Sequence, residues 1–260
     1  EKYPKLVYGY VSGYGEKGPD KDLPGFDFTA FYARGGILGP LRDKNSLPML
    51  TVQGFGDHQV AMNLAAGVLA ALFKAKMTGE GDHVVVSLFH SAIWDISLML
   101  QASQYGADST QYPMERWKLG NPLVLCYETA DGQWLQIAMP QYDRHYPILM
   151  NAMGYPELAD DARYYPQKNL IPNREEFSAW ITAEFKKKTC DEWCKLLDAN
   201  DLPYAIAQEW NSLLEDKQAW ASDCFYEMAY SNGNKRTLVR PPVLFDQMGL
   251  PPYERGPYLG

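Results

Sequence analysis

The chain has 260 residues, of which 46% are hydrophobic and 22% charged, a balance typical of a globular protein with one large or two smaller domains. Its net charge of −8 argues against nucleic acid or an anionic membrane surface as a partner, since both attract basic proteins. No apolar run approaches the ~20 residues of a membrane span, and neither the four cysteines nor the scattered histidines suggest a metal site, so the composition predicts a cytoplasmic protein with reduced thiols.

The first hundred residues predict alternating strands and helices. Residues 6–11 are typical of a short strand, and a glycine-rich loop follows as far as residue 19. A long apolar helix is expected over residues 58–77, a turn over 78–82, a buried strand over 83–88 and a further helix over 90–105. A helix, a glycine turn, a buried strand and a second helix in this order predict an α/β fold.

The composition changes near residue 106. The polar, proline-containing segment 106–117 predicts a linker, and residues 118–235 predict a smaller α+β domain. Within this domain, Asp131-Gly132 and Asn232-Gly233 predict hairpin turns, and Thr189 with Glu192 predicts the capping box of a helix over 190–199. Further helices are expected over 144–153, over 174–187 with Asn173 as cap, and over most of 210–221. Residues 236–260 are expected to return towards the first domain.

Asp57 is the residue with the clearest chemical meaning, because it follows Gly54-Phe55-Gly56 directly in front of the long helix. A carboxylate there meets unpaired backbone N–H groups and the positive end of the helix dipole, which favour the ionised form. The simplest interpretation is an N-cap aspartate. The alternative is a carboxylate nucleophile that attacks an acyl group.

Several stretches together resemble the family III CoA-transferases, and the resemblance runs almost from end to end. They are residues 54–62, 69–81 and 84–88, the upstream glycine-rich segments 12–15 and 24–27, and residues 155–164. Residues 14–27 and 138–143 are most similar to the branch that activates (R)-2-hydroxy acids in anaerobic amino-acid fermentation, the phenyllactate and 2-hydroxyisocaproate CoA-transferases.

The resemblance implies part of a Rossmann-like large domain, within residues 1–105, together with the smaller domain. Coenzyme A and its acyl thioesters would be substrates, with no permanently bound cofactor and no metal, and the protein would be an interlocked homodimer. The implied site consists of Asp57 as nucleophile, Pro24, Gly25, Phe26 and Asp27 along the CoA pantetheine and acyl group, Leu88 near the thiol, and Tyr14, Phe26, Gly120 and Asn121 near the substrate.

The expected reaction moves CoA from an acyl-CoA to an aromatic or branched (R)-2-hydroxy acid through an aspartyl anhydride and an aspartyl-CoA thioester. The first alternative is an α-methylacyl-CoA racemase, which needs a histidine where this chain has Phe26. The second is a non-catalytic CoA-binding fragment. Family members begin with a Rossmann-like segment that has no counterpart here, so the chain is expected to be a fragment of a longer protein.

Overall fold

The computed structural model describes residues 2–105, 112–113, 115–249 and 256. Two compact units are present, the first comprising Glu1–Pro122, Tyr142–Pro147 and Pro156–Ile181, and the second Leu123–Gln141, Ile148–Tyr155 and Thr182–Gly260. This division differs from the predicted one, because two segments beyond residue 118 group with the first unit and the residues after 236 group with the second. Most of the predicted linker, residues 106–111 and 114, lies outside the described residues.

The first unit contains a parallel pair of strands. Strands β1 (Val7–Ser12) and β2 (Asp82–Ser87) pair in register, with Val7 opposite Asp82 and Ser12 opposite Ser87. Helix α1 (Phe55–Thr78) lies between them in sequence and packs against both. Parallel strands need such a crossover connection, and the predicted α/β class is confirmed.

Helix α1 runs from the carboxyl edge of this strand pair to its amino edge. It ends at Gly79, which has φ 82°, and the Gly81 N–H donates to the Pro4 carbonyl at 2.7 Å, just before β1. The opposite end of α1 therefore lies on the side where β1 and β2 finish. Ligand sites of α/β folds are found at that edge.

Helix α1 also has the length and composition of a membrane span, with a mean hydropathy of 1.4. The expectation that no apolar run approaches that length is therefore wrong. Only 17% of its most apolar stretch is buried, although α1 packs on two strands and on the next helix. The absence of a membrane partner stays a prediction.

The chain after β2 forms two helices where one was predicted over 90–105. Helix α2 (Leu88–Asp95) ends at Ile96, which has φ −95° and ψ 9°, and α3 (Ser97–Ala102) leads into a 3₁₀ turn at Ser103–Tyr105. Ile96 packs against the hydrophobic core, so tertiary packing accompanies the break. Periodicity alone could not show this interruption.

Helix α4 (Tyr142–Met153) begins two residues before its predicted start, and α5 (Gln167–Leu170) was not predicted. Helix α6 (Arg174–Phe185) ends two residues early, whereas α7 (Cys190–Ala199) has the predicted bounds. The helix predicted over most of 210–221 forms two, α8 (Trp210–Leu214) and α9 (Lys217–Ala221). The predicted Asn173 cap is wrong, because Asn173 ends a 3₁₀ turn (Ile171–Asn173) that runs directly into α6, and its side-chain Nδ2 donates to the Arg163 carbonyl at 2.9 Å. The predicted capping box of α7 is confirmed by reciprocal bonds between Thr189 and Glu192.

The second unit contains two antiparallel sheets. The first has the order β3 (Cys126–Glu128), β4 (Trp134–Ile137), β5 (Tyr204–Ile206), and the second pairs β6 (Phe225–Ala229) with β7 (Lys235–Val239). Gly132 and Gly233 have φ 76° and 82° in the turns of the two hairpins. The antiparallel pairing of β3 with β4 and of β6 with β7 confirms both predicted hairpins, and the glycine of each turn supplies a positive φ.

Candidate active site

Asp57 is the third residue of α1 and its side chain is exposed. The helix begins at Phe55, three residues earlier than predicted, and its N-cap is Gly54, with φ 82°. This left-handed conformation favours glycine. The interpretation of Asp57 as the N-cap is therefore wrong, whereas its predicted place at the positive end of α1 holds.

The carboxylate that caps α1 belongs to Asp27. Its side chain is buried, at 6% exposure, and its two oxygens accept one N–H each: Oδ2 from Gly54 at 2.7 Å and Oδ1 from Gly56 at 2.9 Å. The family resemblance implied that Asp27 lies along the CoA pantetheine, and that contact stays a prediction. In the structure its carboxylate is directed at the turn that carries Asp57.

A short π-helix, Asp27–Ala33, packs against this turn. The Tyr32 hydroxyl donates to the Val52 carbonyl at 3.2 Å, and the ring of Phe31 meets that of Phe55 edge-on, with centroids 6.4 Å apart. Burial raises the pKa of Tyr32, so the phenol keeps the proton that it donates. Single π-helical turns often occur at functional sites. Here the π-helix fixes Val52, just before α1, and Phe55, its first residue.

A hydrophobic cluster lies behind the π-helix and α1. Its buried members are Ala30, Phe31, Tyr32, Ile37, Val60, Leu88 and Ala92. Leu88 is only 5% exposed and its side chain is part of this core, and its predicted place near the CoA thiol stays a prediction. A continuous apolar strand cannot reveal which of its residues is enclosed.

The two glycine-rich segments cross at van der Waals contact. A Cβ placed on Gly13 would lie 2.5 Å from the Gly25 Cα, so a side chain at this position would force the backbones apart. The Gly13 carbonyl also accepts the Phe89 N–H at 3.0 Å. Pro24 is exposed and the Phe26 side chain is 65% exposed, so both remain accessible to a ligand.

Arg34 is a cation that the sequence analysis missed. Its guanidinium lies over the rings of Tyr14 and Phe89, 5.0 and 5.5 Å from their centroids, and pairs with Asp20. The bond to Asp20 raises the pKa of Arg34. A positive charge therefore stacks on Tyr14, a predicted substrate residue. The Arg-Gly-Gly sequence at residues 34–36, after the π-helix, was the available signal.

Gly120 and Asn121 are half-buried in the first unit. The Gly120 carbonyl accepts a hydrogen bond from Gln167 Nε2 at 3.0 Å. No hydrogen bond recorded among the described residues joins Gly120 to the Asp57 turn, so its substrate contact stays a prediction.

An open cleft of about 280 Å³ lies between α1, β2 and α2. Its lining residues are Asn63, Val85, Val86, Ser87, His90, Ser91 and Trp94. None of the predicted site residues is among them. Within the described ranges, no group of three His, Cys, Asp or Glu side chains is arranged to hold a metal ion, and the metal-free site stays a prediction.

The sequence profile described as CoA-transferase family III matches residues 1–260. The chain belongs to the family III CoA-transferases. It is 49% identical over its whole length to the cinnamoyl-CoA:phenyllactate CoA-transferase of Clostridium sporogenes, and covers 63% of that relative. It is 39% identical to the (R)-2-hydroxy-4-methylpentanoate CoA-transferase of Clostridioides difficile, again over 100% of the chain and 64% of the relative.

A solved CaiB/BaiF family protein from Brucella suis has the same fold as this family III chain. The TM-score is 0.80 at 22% identity, with 98% of this chain and 65% of the solved chain covered. The sequence profile and the two relatives confirm the predicted family, and the solved structure supports the predicted fold. This chain spans less than two thirds of the length of these relatives.

Proposed function

We propose that the protein containing this chain transfers CoA from an acyl-CoA to an (R)-2-hydroxy acid with an aromatic or branched side chain, within amino-acid fermentation. One observation carries the chemistry: the exposed carboxylate of Asp57 lies in the first turn of a helix whose start is held in place by a buried acid. The names of the two relatives, which differ in acceptor, support this substrate class.

The first half of the proposed reaction loads CoA onto the protein. An Asp57 oxygen attacks the thioester carbonyl of the donor, the C–S bond breaks, and CoA leaves as a thiolate while a mixed anhydride forms. The thiolate then attacks the aspartyl carbonyl. The donor acid leaves as a carboxylate, and Asp57 is left as a CoA thioester.

The second half repeats these steps in reverse order with the acceptor. The carboxylate of the hydroxy acid attacks the aspartyl thioester, which releases the thiolate and forms a new anhydride. The thiolate attacks the acyl carbon of the hydroxy acid, and Asp57 leaves as a free carboxylate. Each step exchanges one acyl bond for another, so neither an oxidant nor a metal is required.

The structure supports this sequence of steps through the surroundings of Asp57. An exposed side chain can reach a thioester, and the positive end of α1 is suited to the negative charge that develops on the carbonyl oxygen. Exposed Phe26 offers an apolar surface for the side chain of the acid. Water must be excluded from the anhydride, and that requires a covered site.

The test uses the intact polypeptide with cinnamoyl-CoA as donor and with phenyllactate or 2-hydroxy-4-methylpentanoate as acceptor. Asp57→Ala should abolish transfer, and hydroxylamine added during turnover should convert Asp57 to a hydroxamate that peptide mass spectrometry detects. Glu80→Gln, at the far end of α1, is the matched control. Normal transfer by Asp57→Ala would refute the proposal.

The racemase alternative predicts a different outcome. The residue in place of the required histidine is Phe26, which cannot accept or donate a proton. Deuterium entering at the α-carbon of a bound acyl-CoA, without CoA exchange, would support racemisation. Binding of CoA with neither reaction would support a non-catalytic module.

The assembly and location of the protein belong to the same proposal. We expect the intact polypeptide to be a cytoplasmic homodimer, as the family resemblance implies, with no metal and no permanently bound cofactor. Light scattering should give the mass of two chains, and cell fractionation should place the activity in the soluble fraction. A monomer with full activity would contradict the proposed assembly.

A further inference from the structure

Asp27 is a buried acid that the transfer steps do not use. Its two oxygens accept the Gly54 and Gly56 N–H groups at 2.7 and 2.9 Å, and Asp57 follows Gly56 directly. We infer that Asp27 is the positioning residue of the site, which fixes the orientation in which the α1 turn presents Asp57 to the thioester. This inference rests on the proposed function.

The first turn of α1 has no acceptor of its own that would fix its orientation. The N-terminal N–H groups of a helix have no acceptor within the helix, and the N-cap residue commonly supplies one from its side chain. Gly54 is the N-cap here and has no side chain. Asp27, 27 residues before Gly54, supplies the acceptors instead, and two bonds from one rigid carboxylate fix both the position and the rotation of the turn.

Steric contacts hold the turn from the same side. A Cβ on Gly56 would lie 2.5 Å from Asp27 Oδ1 and 2.3 Å from Phe31 Cγ, so the turn already touches both groups. It cannot move towards the π-helix, and the two hydrogen bonds prevent it from moving away. The buried carboxylate therefore determines where the exposed one stands.

A purely structural role for Asp27 would have different consequences. Loss of a helix cap reduces the folded fraction, but it leaves each remaining folded molecule fully active. Loss of positioning slows the chemistry in molecules that are still folded. A displacement of ~1 Å at a reacting group can reduce the rate ~100-fold.

The experiment compares Asp27→Asn and Asp27→Ala with Asp22→Asn, which removes an exposed charge from the same loop. Asparagine keeps one acceptor and turns an NH₂ group towards one of the two N–H donors. We expect kcat to fall ~10- to 100-fold in both Asp27 variants, with KM nearly unchanged. The final yield of Asp57 hydroxamate gives the competent fraction, and its rate of formation should fall in step with kcat.

Different results separate this inference from the proposed function. If the Asp27 variants have the wild-type kcat for each Asp57 that can be labelled, Asp27 is not a positioning residue. The proposed transferase function would remain intact. A raised KM at unchanged kcat would also overturn the positioning role, because Asp27 would then act in binding. Absence of transfer and labelling in the wild type would refute the function itself.

Amide exchange tests the geometry without any assay of activity. In intact protein carrying isotope-labelled glycine, the Gly54 and Gly56 amide protons should exchange faster in Asp27→Ala than in Asp22→Asn. Equal exchange rates in the two variants would show that Asp27 does not hold the turn.

Discussion

Two aspartates at the start of α1 have opposite environments. Asp57 is exposed, whereas Asp27 is buried and gives both oxygens to backbone N–H groups. An exposed carboxylate can react, and a buried, fully bonded one can hold a structure. This difference in burial, rather than the residue type, is the reason that we propose reaction for Asp57 and support for Asp27.

Gly56 is the residue at which this arrangement is most sensitive to added volume. Gly56→Ala would place a methyl group 2.3 Å from Phe31 Cγ, and we expect it to lower the free energy of unfolding by ~1–3 kcal/mol and to reduce transfer. Urea denaturation of the intact polypeptide measures the first effect. Gly39→Ala is the control, because no atom lies within 4 Å of its built Cβ. Equal stability of the two variants would contradict the close contact.

The cysteines should differ strongly in reactivity. Cys190 is 1% exposed, and burial raises the pKa of its thiol to about 11, whereas Cys224 is exposed. Alkylation needs an accessible thiolate, so iodoacetamide should modify Cys224 first and Cys190 last in the native protein. In denaturant the two should react alike. Equal native rates, measured by peptide mass spectrometry, would contradict the burial of Cys190.

The sequence predicted the position of Asp57 at the start of the long helix, because glycines before an apolar helix form a local pattern. The role of Asp27 and the burial of Leu88 were not predictable, since each depends on residues distant in sequence. Arg34 was missed for the same reason: its stacking partners Tyr14 and Phe89 come from separate segments.

At the level of elements, the capped helix α7 is the one that local sequence specifies most completely. The Thr189 hydroxyl accepts the Glu192 N–H, and the Glu192 carboxylate accepts the Thr189 N–H. Thr189→Ala should lower the free energy of unfolding by ~1 kcal/mol in thermal or urea denaturation. Thr189→Ser keeps the hydroxyl and should remain near the wild type. Similar losses in both variants would show that the hydroxyl does not cap α7.

The capping box of α7 also predicts that the free energy of unfolding depends on pH. Glu192 accepts hydrogen bonds from the backbone N–H and the hydroxyl of Thr189, and the bond from the N–H has the larger effect. Both lower the pKa of the Glu192 carboxyl below its unfolded value. The stabilisation is therefore complete above the unfolded pKa and is lost as the pH falls through the folded pKa. Glu192→Gln should weaken the loss of stability on acidification, whereas Glu157→Gln, at an exposed site, should not. Identical acid titrations of stability in both variants would contradict this contribution.

Tertiary packing decided the elements that the sequence predicted less well. The break at Ile96 coincides with its packing on the core, and α1 begins three residues early because Asp27 completes its first turn. Hairpins and the α7 cap were predictable because each depends on residues within a few positions of one another.

At the scale of the whole molecule, each of the two units combines segments that are separated in the sequence. Residues 142–147 and 156–181 group with the segment 1–122, although they follow the predicted linker. Composition shifts along a chain can mark a linker, but they cannot show which earlier segment a later helix joins. The α/β class was predictable, and the boundaries differ from the prediction.

The 260-residue chain exposes an apolar stripe along α1. Leu69, Phe73 and Met77 are 66%, 69% and 68% exposed and are spaced by four residues, so they share one face of the helix. Such surfaces promote association. We expect this chain, when produced by itself, to self-associate as its concentration rises, in sedimentation or light-scattering measurements.

Replacing Leu69 and Phe73 by glutamine should shift that association to higher concentration without altering the circular dichroism spectrum, because neither side chain belongs to the core. Leu47→Gln, at an exposed leucine outside the stripe, should have a much smaller effect. Equal association of the double variant and the Leu47→Gln control would mean that the α1 stripe is not the surface through which the chains meet.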